Sequence, residues 1–147
     1  MEDTRKIKDI YDCVAIISDE ELYPLQKWYN QLIDKTLSEI TVADVLRMIR
    51  QKQFINLAMS KAIKFLQDDV FIGESYDGEM LEKISEMDSS FLMSYTEDLK
   101  SITKNALEKS VIHEWLYDGE KDEFKEIVNV IAKKVNIMIC NISLDNP

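Results

Sequence analysis

The stretch that decides the reading of this chain is Asp68 to Asp98, DDVFIGESYDGEMLEKISEMDSSFLMSYTED. It holds loop, helix and cap signals in one run. Gly73 to Gly78 is a glycine-bounded polar segment and reads as a loop. Asp77 then stands where an N-cap belongs, predicting a helix from about Gly78. Met80, Leu81, Ile84 and Met87 recur at helical steps, so that face points inward. Glu79, Glu82 and Glu86, three and four residues apart, are expected to line the outer face. Asp88-Ser89-Ser90 reads as the cap of the next helix, whose apolar face Phe91, Tyr95, Leu99, Ile102 and Ala106 runs to about Lys109.

The same stretch carries the charge. It contains ten acids and one base, Lys83, whereas residues 1–67 carry ten of each and residues 99–147 carry eight acids and seven bases. The formal charge of −10 is therefore local. A one-sign field attracts a partner of the opposite sign and disfavours direct binding to nucleic acid, which is held by neutralising phosphates with Lys and Arg. Asp68-Asp69 places two negative charges at the C-terminal end of a helix, the wrong end for the helix dipole.

Working outward from the stretch, the pattern stays helical. Ile7, Ile10, Tyr11, Val14 and Ile17 predict an amphipathic first helix that ends at Ser18-Asp19-Glu20-Glu21. Pro24 suits the first turn of a second helix, whose inner stripe is Leu25, Trp28, Tyr29, Leu32 and Ile33. Thr41-Val42-Ala43-Asp44 is a capping-box variant opening a third, with Val42, Val45, Leu46 and Ile49 inward. Arg47, Arg50 and Lys52 read as a solvated helix face that pairs with nearby acids. A fourth helix carries Phe54, Leu57, Ala58, Ala62, Phe65 and Leu66. The last has Phe124, Ile127, Val128, Ile131, Val135, Met138 and Ile139 at helical steps, with a short strand over 135–142 as the alternative. Tyr117-Asp118-Gly119-Glu120 repeats Tyr76-Asp77-Gly78-Glu79 and reads as one helix-start chemistry used twice, not as an internal repeat.

The fold expected is all-α, a single-domain bundle of about seven helices with short polar links spanning residues 1–147. Three Gly and two Pro are too few for the turns of an all-β protein. A hydrophobic fraction of 46% with 31% charged residues fits a packed core. No stretch approaches the roughly 20 apolar residues that span a bilayer, and the N-terminal apolar run from Val14 to Ile17 is too short for a signal peptide, so no membrane partner is expected. Cys13 and Cys140 are expected to be buried and reduced.

Motifs for catalysis are missing. His113 is the only histidine and has no triad signal near it; there is no phosphate-binding glycine loop and no zinc-protease motif. The acids of DDVFIGESYDGE fall out of EF-hand register, and two cysteines with one histidine make no zinc site. No cofactor, no metal and no enzymatic activity are expected.

The ordered blocks Leu22-Tyr23-Pro24-Leu25, Thr41-Val42-Ala43-Asp44-Val45 with Arg47-Met48-Ile49-Arg50-Gln51, and Gly73-Glu74-Ser75-Tyr76-Asp77-Gly78-Glu79-Met80-Leu81 resemble the contact-dependent growth inhibition (CDI) immunity proteins. The likeness spans residues 22–88; one departure is Ser60 before Lys61-Ala62, where members often carry proline. The resemblance implies a small cytoplasmic bacterial protein without catalysis that binds the cognate C-terminal toxin domain of an exported CDI effector, expected to be a basic nuclease. The matching blocks do not mark the contacts. The clustered acids point to Glu74, Tyr76, Asp77, Glu79, Glu82, Glu86 and Asp88 as a toxin-facing surface that docks over a basic active-site cleft. Tyr76 and Tyr95 read either as aromatic anchors or as core tyrosines. An acidic helical adaptor for another basic protein, or a divalent-metal-dependent enzyme, stands as the alternative.

Overall fold

The computed structural model describes residues 4–136. The α-helices are α1 (Ile7–Ile10), α2 (Pro24–Ile33), α3 (Val42–Gln51), α4 (Ile55–Asp68), α5 (Glu79–Ser85), α6 (Ser89–Leu92), α7 (Thr96–Ser110) and α8 (Glu120–Lys134), with 3-10 turns at Leu37–Glu39 and Met93–Tyr95. Among the described residues there is no strand, only an isolated bridge between Lys6 and Thr36. The expected all-α architecture is what the chain adopts, since α6, its 3-10 turn and α7 together fill the place of one predicted helix.

One cluster of buried side chains joins the elements, from Ile7 through Leu32, Leu46, Met59 and Leu81 to Leu99, Val128 and Ile131. Within it α3 packs on α4 and α5, α7 on α4 and α8, and α5 on α8. The strongest local signal was the capping box of α3. Thr41 Oγ1 accepts the Asp44 N–H at 3.1 Å, and Asp44 Oδ2 accepts the Thr41 N–H at 3.0 Å. The same buried carboxylate accepts Trp28 Nε1–H at 3.1 Å and Lys35 Nζ at 2.5 Å, which ties α2 and its following turn to α3. Burial alone would push the Asp44 carboxyl up, but the bonds from Lys35, Thr41 and Trp28 outweigh it and hold the group below its ordinary value.

Three expectations are corrected here. The first helix stops at Ile10 instead of running to Ile17. The Asn30 side chain pairs with both backbone groups of Ile16, accepting its N–H at 2.8 Å and donating to its carbonyl at 3.1 Å. That pairing takes the backbone bonds a helix would need, and Val14 and Ile17 are left 83% and 92% exposed. The predicted sixth helix breaks at Tyr95, whose backbone departs from helical angles while its hydroxyl donates to Asn56 Oδ1 on α4 at 3.0 Å. Tyr95 is thereby bonded into the bundle and is no exposed anchor. Arg47, expected to pair with acids, stands over the Trp28 ring at 5.6 Å.

Asp69 Oδ1 accepts the Phe71 N–H at 2.9 Å, so this acid closes the turn after α4. The side chain of Asp88 makes no capping bond; its backbone carbonyl opens α6 by accepting the Leu92 N–H at 3.0 Å. Met138, Ile139 and Cys140 and most of the alternative strand over 135–142 lie outside the described residues; Val135 and Asn136 follow α8 as a turn. Cys13 is a half-buried free thiol.

Candidate functional site

The two Tyr-Asp-Gly-Glu tetrapeptides begin α5 and α8, and these helices pack together. Gly78 and Gly119 occupy the position before the first helical residue, both with positive φ, +86° and +97°. An L side chain there would be strained, so glycine rather than aspartate sets the helix start. This corrects the N-cap assigned to Asp77. Its carboxylate instead meets His113 Nε2 at 2.9 Å, across 36 residues of chain.

The glutamate after each glycine turns back toward the loop before it. Glu79 Oε1 accepts the backbone N–H groups of Glu74 and Ser75, both at 2.8 Å. Glu120 Oε1 accepts that of Leu116 at 2.6 Å. Glu79 is only 6% exposed, which corrects its expected place on the outer face. The spacing of Glu79, Glu82 and Glu86 is right for one helix stripe, but the loop over 73–78 folds across its first member. Gly73 makes this approach feasible, because a Cβ there would lie 2.2 Å from the Tyr76 carbonyl oxygen.

The likeness between the two starts runs further than the tetrapeptide. Tyr76 donates its hydroxyl to Glu82, and Tyr117 donates to Glu123 at 2.5 Å. Each unit is thus Tyr-Asp-Gly-Glu-x-x-Glu, with the tyrosine clasping the glutamate one turn into the helix. Burial, then the Glu82 bond and the charges of Glu79 and Glu86, push the Tyr76 phenol well above its ordinary value. For Tyr117 the bond to Glu123 is the leading cause and burial the next. Both hydroxyls therefore remain protonated donors at neutral pH.

Between the two units lies an open cavity of about 770 Å³. Six carboxylates line it, Asp77 and Glu82 from the first unit and Glu120, Asp122, Glu123 and Glu126 from the second, and no lysine or arginine does. Tyr76, Tyr117, Trp115 and Phe124 supply its aromatic part. Trp115 and Phe124 belong to an aromatic cluster in which Phe71 stacks on His113 at 3.9 Å and meets the Phe124 ring at 5.1 Å. α5 and α8 run the same way along this contact. Gly78 faces Phe124 at their start, and Lys134 Nζ donates to the carbonyls of Ser85 and Met87, at 2.7 and 2.8 Å, near their end.

The sequence-predicted residues thus separate into groups. Tyr76, Asp77 and Glu82 line the groove, Glu79 is inside the loop behind it, and Glu74 is exposed on that loop. Glu86 and Asp88 do not line the groove but a second cavity of about 450 Å³ that Arg50, Lys52 and Lys83 also line, with Glu86 still near enough to raise the Tyr76 phenol. There the signs are mixed. Sequence reasoning missed Glu120, Asp122, Glu123 and Glu126, for which the repeated tetrapeptide was the available signal.

Among the described residues, no set of three or more His, Cys, Asp or Glu side chains could hold a metal ion. No described helix is long and apolar enough to cross a membrane. What fold and groove define together is a helical protein that presents an acidic, aromatic-lined recess between two like helix starts. The sequence model of the CDI immunity proteins matches residues 9–102, well over half of the 147, and the chain belongs to that family. No curated protein matches it.

Proposed function

We propose that this protein neutralises the toxin domain of its cognate CDI effector by setting the acidic groove between α5 and α8 over a basic substrate-binding cleft. Membership of the immunity family supports the partner, and the groove supports the mode. Six carboxylates around one recess, with no cation among its walls, are the observation that carries the reading. Like charges held this close favour an incoming cation, and the low-dielectric aromatic wall strengthens that attraction. A toxin that cuts RNA or DNA has such cations in its cleft, because it must hold phosphates. Inhibition then needs no chemistry from this chain; occupancy excludes the substrate, and the protein acts in the cytoplasm where the toxin does. Tyr76, Asp77 and Glu82 are the contacts proposed from the first unit, with Glu74 beside them on the loop.

Co-expression with the C-terminal domain of the effector encoded beside this gene tests the reading. The expected outcome is a 1:1 complex that co-purifies, lacks nuclease activity, and associates more slowly as salt rises. A toxin domain that stays fully active with saturating immunity protein would refute it.

A further inference from the structure

The link from α7 to α8, Val111 to Tyr117, exposes four large apolar side chains in seven residues: Val111 at 65%, Ile112 at 83%, Leu116 at 82% and Tyr117 at 54%. Single exposed apolar residues need no explanation, but four within seven residues of one link call for one. The backbone that carries them is held in place. His113 stacks on Phe71 at 3.9 Å and bonds Asp77, Trp115 Nε1–H donates to the Ser110 carbonyl at 3.1 Å, and the Leu116 N–H is bonded to Glu120. A rigid backbone with outward apolar side chains loses little entropy when a partner covers them.

The link also adjoins the groove, since Trp115 and Tyr117 belong to both. Charge and apolar surface contribute differently to a complex. Complementary charge speeds encounter, while desolvated apolar anchors slow release. We infer that Ile112 and Leu116 form the apolar anchor of the docking face, entering a recess on the basic partner whose lysine or arginine occupies the groove. This rests on the proposed neutralisation of a toxin domain. Family membership does not assign these residues, because they lie beyond the matched span of 9–102. The other exposed apolar set, Val14, Ile17 and Tyr23, has no comparable complement; the cavity beside Val14 is lined by no acid and no base.

The test is surface-immobilised kinetics with the C-terminal domain of the neighbouring effector, comparing wild type, Ile112→Ser/Leu116→Ser and Asp122→Asn/Glu126→Gln. The serine pair is expected to raise the dissociation rate about 30-fold or more while leaving association within about 3-fold, the mark of an anchor at an interface centre. The amide pair is expected to do the reverse, slowing association and flattening its salt dependence. The melting temperature of each variant, measured alongside, should match wild type. Unchanged dissociation in a folded serine variant would overturn the anchor and leave the proposed function standing. A wild type that is a dimer, made monomeric by the serine pair, would also overturn it, because the patch would then face a second copy. No binding by the wild type would sink both readings together.

Discussion

Two copies of the same short motif sit side by side in this molecule, and they are set in different surroundings. At the start of α5 the unit is closed in. Its glutamate takes two backbone N–H groups, and a Cβ on Gly78 would come within 2.9 Å of the Phe124 ring. At the start of α8 the glutamate takes one, and Gly119 has open space around it. The local chemistry is shared; packing decides what it is for. The first unit is cemented into the core and holds one wall of the groove still. The second is less enclosed, and it offers most of the groove's carboxylates.

The glycines should separate the two most sharply. Gly78→Ala adds a left-handed backbone penalty to a ring clash, for an expected loss of about 3–4 kcal/mol in chemical denaturation. Gly119→Ala carries the backbone term alone, about 1–2 kcal/mol. Equal losses would break the distinction drawn between the units. The glutamates come next. Glu79→Ala orphans two amides and is expected to cost about 3 kcal/mol, against about 1.5 kcal/mol for Glu120→Ala with one. If the second proved the costlier, Glu120 rather than Glu79 would be the structural member of the pair.

Asp44, the acid in the first turn of α3, gives a smaller and pH-dependent effect. Its carboxyl lies below its ordinary value in the folded protein, so the unfolded chain binds the proton more readily. The stability it contributes is complete above the unfolded value of about 3.9 and is lost as pH falls through the lower, folded one. Asp44→Asn should therefore weaken the protein at neutral pH and reduce the loss of melting temperature below about pH 4. An unaltered acid limb in that variant would show that other carboxylates govern the acid transition.

Much of the scaffold was legible because its signals are local. Pro24 at the start of α2, Thr41 with Asp44 at α3 and the apolar periods of α4 and α8 each specify a helix within a few residues. Two of the failures share one cause, a bond to something distant in sequence, and a third comes from a neighbouring loop. Asn30 claims the backbone of Ile16 and cuts α1 short. His113 claims Asp77, leaving Gly78 to begin α5. A loop folds over Glu79 and removes it from the stripe its spacing placed it on. Charge counting found the first wall of the groove in residues 68–98, but the second wall lies in a segment with nearly balanced charge, eight acids and seven bases over 99–147. There, neighbouring lysines such as Lys121 and Lys125 hide in the tally while lying outside the groove lining. The repeated Tyr-Asp-Gly-Glu was visible; that its likeness extends to Glu82 and Glu123 has meaning only once both tyrosines are seen reaching them.

Reversing charge at Glu79, Glu82 and Glu86 would confuse unfolding with lost recognition, because Glu79 is buried. The decisive substitution belongs on α8, where Asp122, Glu123 and Glu126 are exposed and line the groove. The measurement is the association rate of the Asp122→Lys/Glu123→Lys/Glu126→Lys protein with the neighbouring effector's toxin domain, taken across a salt series. The account predicts an intact helical spectrum, association slowed by at least about 10-fold at low salt, and a flattened or inverted salt dependence. A folded variant that captures the toxin as fast as wild type, with the same salt slope, would mean that the groove between the two helix starts is not where the partner docks.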